Sequence, residues 1–254
     1  MAFFRTLMFR SAILVILGTS ITAFVSFFVV VSYGLFPRGE YTTHRVSVLW
    51  ARMLLWITSV KVEVVGQQNV LRGRTQVFMA NHQSGFDILI VLAHVDTYFA
   101  WIAKKELFNI PVFGHALAKT GSIAIDRKNF VRSMRSIHDA ARRIREGKSV
   151  MTFPEGTRSM DGQIHPFKKG VFHLALKAGV PIVPVTIIGS GEIMPTKSLR
   201  VHPGKVILVI DKPIDVTGYT EETVDELLNR VYDVVASHYY LRRPEMALKQ
   251  GQAA

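Results

Sequence analysis

From Ser11 to Pro37 the chain carries no charged side chain (SAILVILGTSITAFVSFFVVVSYGLFP). That run is long enough for a membrane helix, which takes about 20 apolar residues. Arg5 and Arg10 precede it and Arg38 follows it. A cleaved signal peptide is the weaker reading, because the run is too long and no small-x-small cleavage site follows it. A second apolar segment, Val46 to Val60, carries Arg52, Trp50 and Trp56. It is short for a span, and its tryptophans suit a membrane interface. It reads as an interfacial or re-entrant helix in preference to a buried core helix. The two segments together make a hairpin anchor over residues 1–60. Basic residues on both flanks leave its orientation undecided.

From Lys61 the pattern changes to α/β. Strands are expected at Lys61–Val65, Gln76–Ala80, Tyr98–Ala103, Ser122–Asp126, Ser149–Phe153, Ile182–Ile188 and Val206–Asp211, mostly with helical stretches between them. That alternation predicts a mostly parallel mixed sheet of about seven strands flanked by helices. Pro111 and Gly114 break any helix over Leu107–Lys119. The amphipathic helix Asn129–Glu146 repeats apolar residues at spacings of three and four, carries five arginines on the remainder, and ends at Gly147. A last helix is expected over Thr220–Tyr240. A catalytic domain over 61–245 would then leave 246–254 as a loose polar tail.

The net charge of +12, from 31 basic and 19 acidic residues, calls for anionic partners: phosphate substrates, lipid headgroups or nucleic acid. A mean hydropathy of +0.24 favours lipid over nucleic acid. No cysteine is present, which excludes disulfides, thiolate metal sites and a thiol nucleophile. The histidines show no metal-ligand spacing.

Asn81-His82-Gln83-Ser84-Gly85-Phe86-Asp87 lies between an apolar strand and an apolar helix start. Open α/β sheets bind ligands at such strand ends. On one continuous helix His82 and Asp87 would point about 140° apart, so their pairing needs a non-helical turn. If His82 closes the strand and Asp87 caps the helix, the carboxylate can reach the imidazole and fix its tautomer. His82 would then be a general base for a substrate hydroxyl; the plainer reading is a polar turn with Asp87 as a helix cap alone. Two more polar motifs follow strands. Gly121–Arg127 ends on Asp126 and Arg127, and Phe153–Ser159 holds Glu155, Gly156, Thr157 and Arg158. Arginine grips phosphate through a planar fork, and amides near Gly156 and Thr157 can add to it. Singly, each is as well explained by a solvated turn; three such motifs at three strand ends are harder to explain that way. Lys168 or Lys169 could face an anion. Val180–Val185 fits an apolar substrate channel or ordinary core.

In this order the motifs resemble the 1-acylglycerol-3-phosphate acyltransferases of the bacterial PlsC type, within the glycerolipid acyltransferase superfamily. N-H-x-S-x-x-D is Asn81–Asp87. A G-x-I-x-I-x-R strand is similar to Gly121–Arg127, with Ala124 at a position often larger. F-P-E-G-T-R-S is present in full at Phe153–Ser159, and Val180–Val185 is similar to the fourth motif. The resemblance covers roughly residues 60–215. It implies transfer of an acyl chain from acyl-CoA or acyl-carrier protein to the free hydroxyl of lysophosphatidate. In that reading His82 is the base and Asp87 its orienting partner. Glu155, Gly156, Thr157 and Arg158 bind the glycerol phosphate, with Arg127, Lys104 and Lys105 nearby. The resemblance implies no metal and no resident cofactor. It also implies a bacterial cytoplasmic-membrane location, with the catalytic domain on the cytoplasmic side. Rival readings are an acyltransferase for another lyso-lipid, such as a lyso-ornithine lipid, and a non-catalytic anionic-lipid binder. A hydrolase would need a G-x-S-x-G elbow, which is missing.

Overall fold

The computed structural model describes residues 2–35, 39–126 and 130–251. Two helices come first, α1 (Ala2–Tyr33) and α2 (Gly39–Ile57). Then follow β1 (Val60–Val65), β2 (Val77–Ala80), α3 (Phe86–His94), β3 (Ala100–Lys104), α4 (Phe113–Lys119), β4 (Ile123–Ile125), α5 (Phe130–Arg145) and β5 (Val150–Thr152). The chain closes with α6 (Gly170–Ala178), β6 (Ile182–Ile188), α7 (Ser190–Ile193), β7 (Gly204–Ile210), α8 (Val224–Arg242) and α9 (Pro244–Gly251).

The strands form one sheet in the order β1-β7-β6-β2-β5-β3-β4. Every described pairing is parallel except β6 with β7. Central strands of such a sheet are covered on both faces and read as unbroken apolar runs. β2 (VFMA) and β6 (IVPVTII) are buried at every position. Ile182–Val185 is therefore core, Val180 and Pro181 before it are half-buried, and none of the stretch 180–185 borders the cavity described below. α5, α6 and α8 cover one face, around Phe172, Leu174 and Leu227. α2 and α3 cover the other, around Leu54, Ile90 and Phe99. The stretch 107–119 is broken as expected. It reverses at Val112 (φ 62), where the Phe113 N–H reaches the Pro111 carbonyl at 2.6 Å, and α4 begins after it.

α1 turns part of its polarity inward, although Thr19 and Ser20 remain exposed. Ser11, Ser26, Val29 and Ser32 are buried against the protein, whereas Phe9, Ile16, Phe24 and Phe27 are exposed. α1 packs on α2 and α4. The Trp50 Nε1–H donates to Thr22 Oγ1 at 3.2 Å and ties the two helices together. α2 is buried on one face and exposed on the other. Ala51, Leu54 and Leu55 are core, but Leu49 and Trp56 stay exposed, Trp56 at 81%. Arg52, the charge in that apolar segment, donates to the Ala93 carbonyl at 3.2 Å near the end of α3.

The loose tail expected from residue 246 is helical through Gly251, within α9. Pro244 opens that helix. Proline suits the first helical position because it has no N–H to leave unbonded there.

Candidate active site

β2, β3, β4 and β5 run parallel, so Asn81, Lys104, Asp126 and Phe153 all emerge at one edge of the sheet. Asn81 is fully buried. Its carboxamide accepts from the Ile187 N–H (2.7 Å) and donates to the Ile187 carbonyl (2.9 Å). This side chain extends the β2–β6 ladder by one step and leaves His82 at the edge. Nδ1 of His82 lies 2.8 Å from Oδ2 of Asp87. The same oxygen accepts the N–H groups of Gln83 (2.7 Å) and Ser84 (2.8 Å).

The carboxylate does reach the ring, but not from a cap position. Gly85 occupies the N-cap, and Asp87 is the second residue of α3. Ser84 serves the helix start instead: its Oγ accepts the Phe86 N–H at 3.2 Å and donates to the Met194 carbonyl at 2.8 Å. Buried and doubly bonded, this hydroxyl shapes the turn. A carboxylate on Nδ1 selects the tautomer with its proton there, which leaves Nε2 as the acceptor.

The His82 ring stacks on Phe153, with centroids 4.0 Å apart and planes 9° apart; Phe153 in turn stacks on Trp101 at 5.8 Å. Neither aromatic was singled out from sequence, although Phe153 heads the third motif. The turn after it needs Gly156, at φ 78. Its far side is pinned by the Ser159 N–H, which donates to the His82 carbonyl at 2.8 Å.

Glu155 points inward and is 3% exposed. Oε1 accepts the His82 N–H at 2.6 Å and Oε2 the His165 N–H at 3.0 Å. Burial pushes its carboxyl pKa up to about 8; the two N–H donors oppose that shift, and the neighbouring Asp87 adds to it. Thr157 and Arg158 are exposed, and Arg158 reaches back over Gly85.

A cavity of about 500 Å³ opens at this edge. His82, Lys104, Gly156, Thr157 and Arg158 border it, and most of its remaining wall is apolar. Ile88, Leu92, Phe99, Trp101 and Phe113 contribute from the domain; Val25 and Val29 of α1 and Trp50 of α2 close the far side. Lys105 lies outside this lining, 3.6 Å from Asp126. Lys169 pairs with Asp225 at 2.8 Å, away from the cavity. His94 bonds the Ile90 carbonyl of its own helix. Arg127 is outside the described residues.

A histidine hydrogen-bonded to a carboxyl group, beside a largely apolar cavity bordered by cationic side chains, has the makings of a base for a hydroxyl next to an anionic group on a lipid. Comparison with known proteins points the same way. Residues 61–188 match the Acyltransferase family model. The chain is 35% identical to a 1-acyl-sn-glycerol-3-phosphate acyltransferase of Haemophilus influenzae, over 73% of this chain and 77% of that one. With the Escherichia coli protein of the same name it shares 32% over 86% and 87%. A chloroplastic one from Brassica napus is 38% identical over 67% of this chain, which spans only 50% of that relative's length. Among solved structures, the LPA acyltransferase PlsC from Thermotoga maritima superposes with a TM-score of 0.80 at 29% identity, over 91% of this chain and 93% of that one.

Proposed function

This chain belongs to the 1-acyl-sn-glycerol-3-phosphate acyltransferase family, and from that membership and the site we propose that it acylates lysophosphatidate to phosphatidate. The observation that carries the reading is the His82–Asp87 pair at the mouth of an apolar cavity that also has Arg158 and Lys104 on its rim. Nε2 of His82 takes the proton of the free glycerol hydroxyl. The resulting oxygen attacks the carbonyl carbon of an acyl-CoA or acyl-carrier-protein thioester. The tetrahedral intermediate expels the thiolate, and His82 returns the proton to that sulfur. The imidazolium between these steps is stabilised by the Asp87 carboxylate. The Gly156 N–H is taken by the Phe153 carbonyl at 3.0 Å, so the backbone N–H groups of Thr157 and Arg158 would face the oxyanion.

Arg158 and Lys104 would hold the phosphate, and Arg127 joins them by its place in the second motif. Those cations favour a phosphate-bearing acceptor over a lyso-ornithine lipid. Glu155 would act on the site at one remove, by holding the His82 and His165 backbones.

Residues 1–60 would form the anchor and the chain from 61 the catalytic domain. The outward apolar faces of α1 and α2 would lie in the bilayer. Thioester donors drawn from the cytoplasm would require the catalytic domain on the cytoplasmic side of a bacterial inner membrane. The chain's net charge of +12 would draw it to anionic lipid.

The test is acyl transfer by the purified chain in detergent, with lysophosphatidate and either donor. His82→Ala should lose at least about 100-fold. Full activity in that variant would end the base assignment. Turnover of another lyso-lipid alone would move the acceptor.

A further inference from the structure

The segment between α7 and β7 touches the anchor and both motif turns. The Thr196 hydroxyl sits 2.7 Å from the Ser159 carbonyl and 3.1 Å from that of Gln83. The Met194 carbonyl accepts from Ser84, as described above. His202 N–H closes the base of the loop on the Ile193 carbonyl at 2.8 Å. Val201, 4% exposed, plugs the loop into the core, and its N–H donates to Ser11 Oγ of α1 at 3.2 Å. From this fixed base the tip presents Leu199, 69% exposed, between the exposed Lys197 and Arg200.

A lone exposed leucine is ordinary on a protein surface. The place of this one is not. The loop meets α1 at Ser11, where the uncharged run begins, one residue after Arg10. The outward side chains of that part of α1 include Phe9 (71% exposed) and Ile13 (47%). An apolar tip flanked by cations thus stands beside the end of an apolar helix, at the level where that helix passes from charged to uncharged sequence. That is the arrangement of an interfacial contact, with cations at headgroup depth and an apolar side chain just below.

We propose that residues 195–200 form a second membrane contact, with Leu199 inserted into an anionic leaflet and Lys197 and Arg200 at its phosphates. The inference rests on the reading that α1 lies in the bilayer. Because the loop is bonded to both motif turns, this contact fixes the height of His82 and Arg158 over the lipid surface.

The chain has no cysteine, so single cysteines accept a spin label at one position each. Leu199→Cys, Phe24→Cys on the outer face of α1, and Glu63→Cys on exposed β1 are reconstituted in the full chain, in phosphatidylglycerol-containing vesicles. Labels at 199 and 24 should collide more with oxygen than with an aqueous nickel complex, and the label at 63 should do the reverse. Replacing phosphatidylglycerol by phosphatidylcholine should move the 199 label towards water and leave the 24 label in place. If 24 is immersed and 199 behaves like 63, the loop contact is wrong and the anchor stands. If 24 is aqueous too, both readings fall. A 199 label immersed equally in both lipids removes the anionic part of the proposal.

Discussion

Replacing Glu155 by glutamine separates a residue that holds the site from one that touches substrate. The carboxylate accepts two backbone N–H groups, one on each oxygen, at 2.6 and 3.0 Å. Glutamine keeps one acceptor and offers an NH2 to the other N–H, donor against donor. A buried N–H orphaned in this way costs about 1–3 kcal/mol. The cheapest relief is a shift of the His82 or His165 backbone. Displacing a catalytic group by about 1 Å can cost about 100-fold in rate. The expected result is therefore a kcat lower by about 10- to 100-fold, with KM for lysophosphatidate essentially unchanged.

Stability adds a second readout. With the carboxyl pKa raised from 4.5 to about 8, the folded chain holds a proton between those pH values that the unfolded chain has released. Stability from this group is full below pH 4.5 and is lost as pH rises towards 8. Glutamine cannot titrate. The stability advantage of the parent over Glu155→Gln should thus be widest in acid and shrink by an amount on the order of a few kcal/mol across the window, with the Tm gap narrowing in step. Steady-state kinetics and thermal melts over that pH range are the assays. A large rise in KM with kcat preserved would show that the carboxylate meets the phosphate directly. A Tm gap independent of pH would show that burial does not hold the proton on.

Two further outcomes follow from the same geometry. Asp87→Asn should fold and bind lipid but lose about 1,000- to 10,000-fold in turnover, because the amide cannot stabilise the His82 imidazolium; activity within tenfold of the parent, a loss of only about 1.4 kcal/mol, would refute the pairing. Deleting residues 1–40 should weaken membrane association and leave the α/β domain folded, by circular dichroism and vesicle flotation. It should also abolish turnover in detergent, since Val25 and Val29 close the cavity, and an active soluble truncation would refute that.

The strands were readable to within two residues at every end because buried parallel strands leave unbroken apolar runs between turn residues. The His82–Asp87 pair was readable because its spacing works only across a turn, and the third motif because its residues are contiguous. What escaped depends on contacts distant in sequence. Asn81 bonds Ile187, and Glu155 turns inward to His82 and His165. Phe153 meets His82 only once β5 lies beside β2. The cap position of Asp87 was misjudged because Ser84 supplied the competing oxygen. In α1 hydropathy reported an apolar helix correctly, but it could not say that Ser11, Ser26 and Ser32 face the protein while Ser20 does not. The terminal helix carried a local signal, Pro244, that the polar composition after it obscured.

The inward serines and Thr22 of α1 bear on how such a protein finds its substrate. A tether on a flexible stalk would let a catalytic head tumble above the bilayer and sample lipids at every angle. Here the tether is bonded to the head, through Trp50 to Thr22 and through Val201 to Ser11. Letting go would expose hydroxyls to hydrocarbon. The molecule would therefore drift in the membrane plane like a raft with a fixed keel, its mouth always at one depth. Under the proposed function, encounter with lysophosphatidate would then reduce to lateral diffusion in two dimensions, and a lipid arriving along α1 would reach the mouth without its tail crossing water.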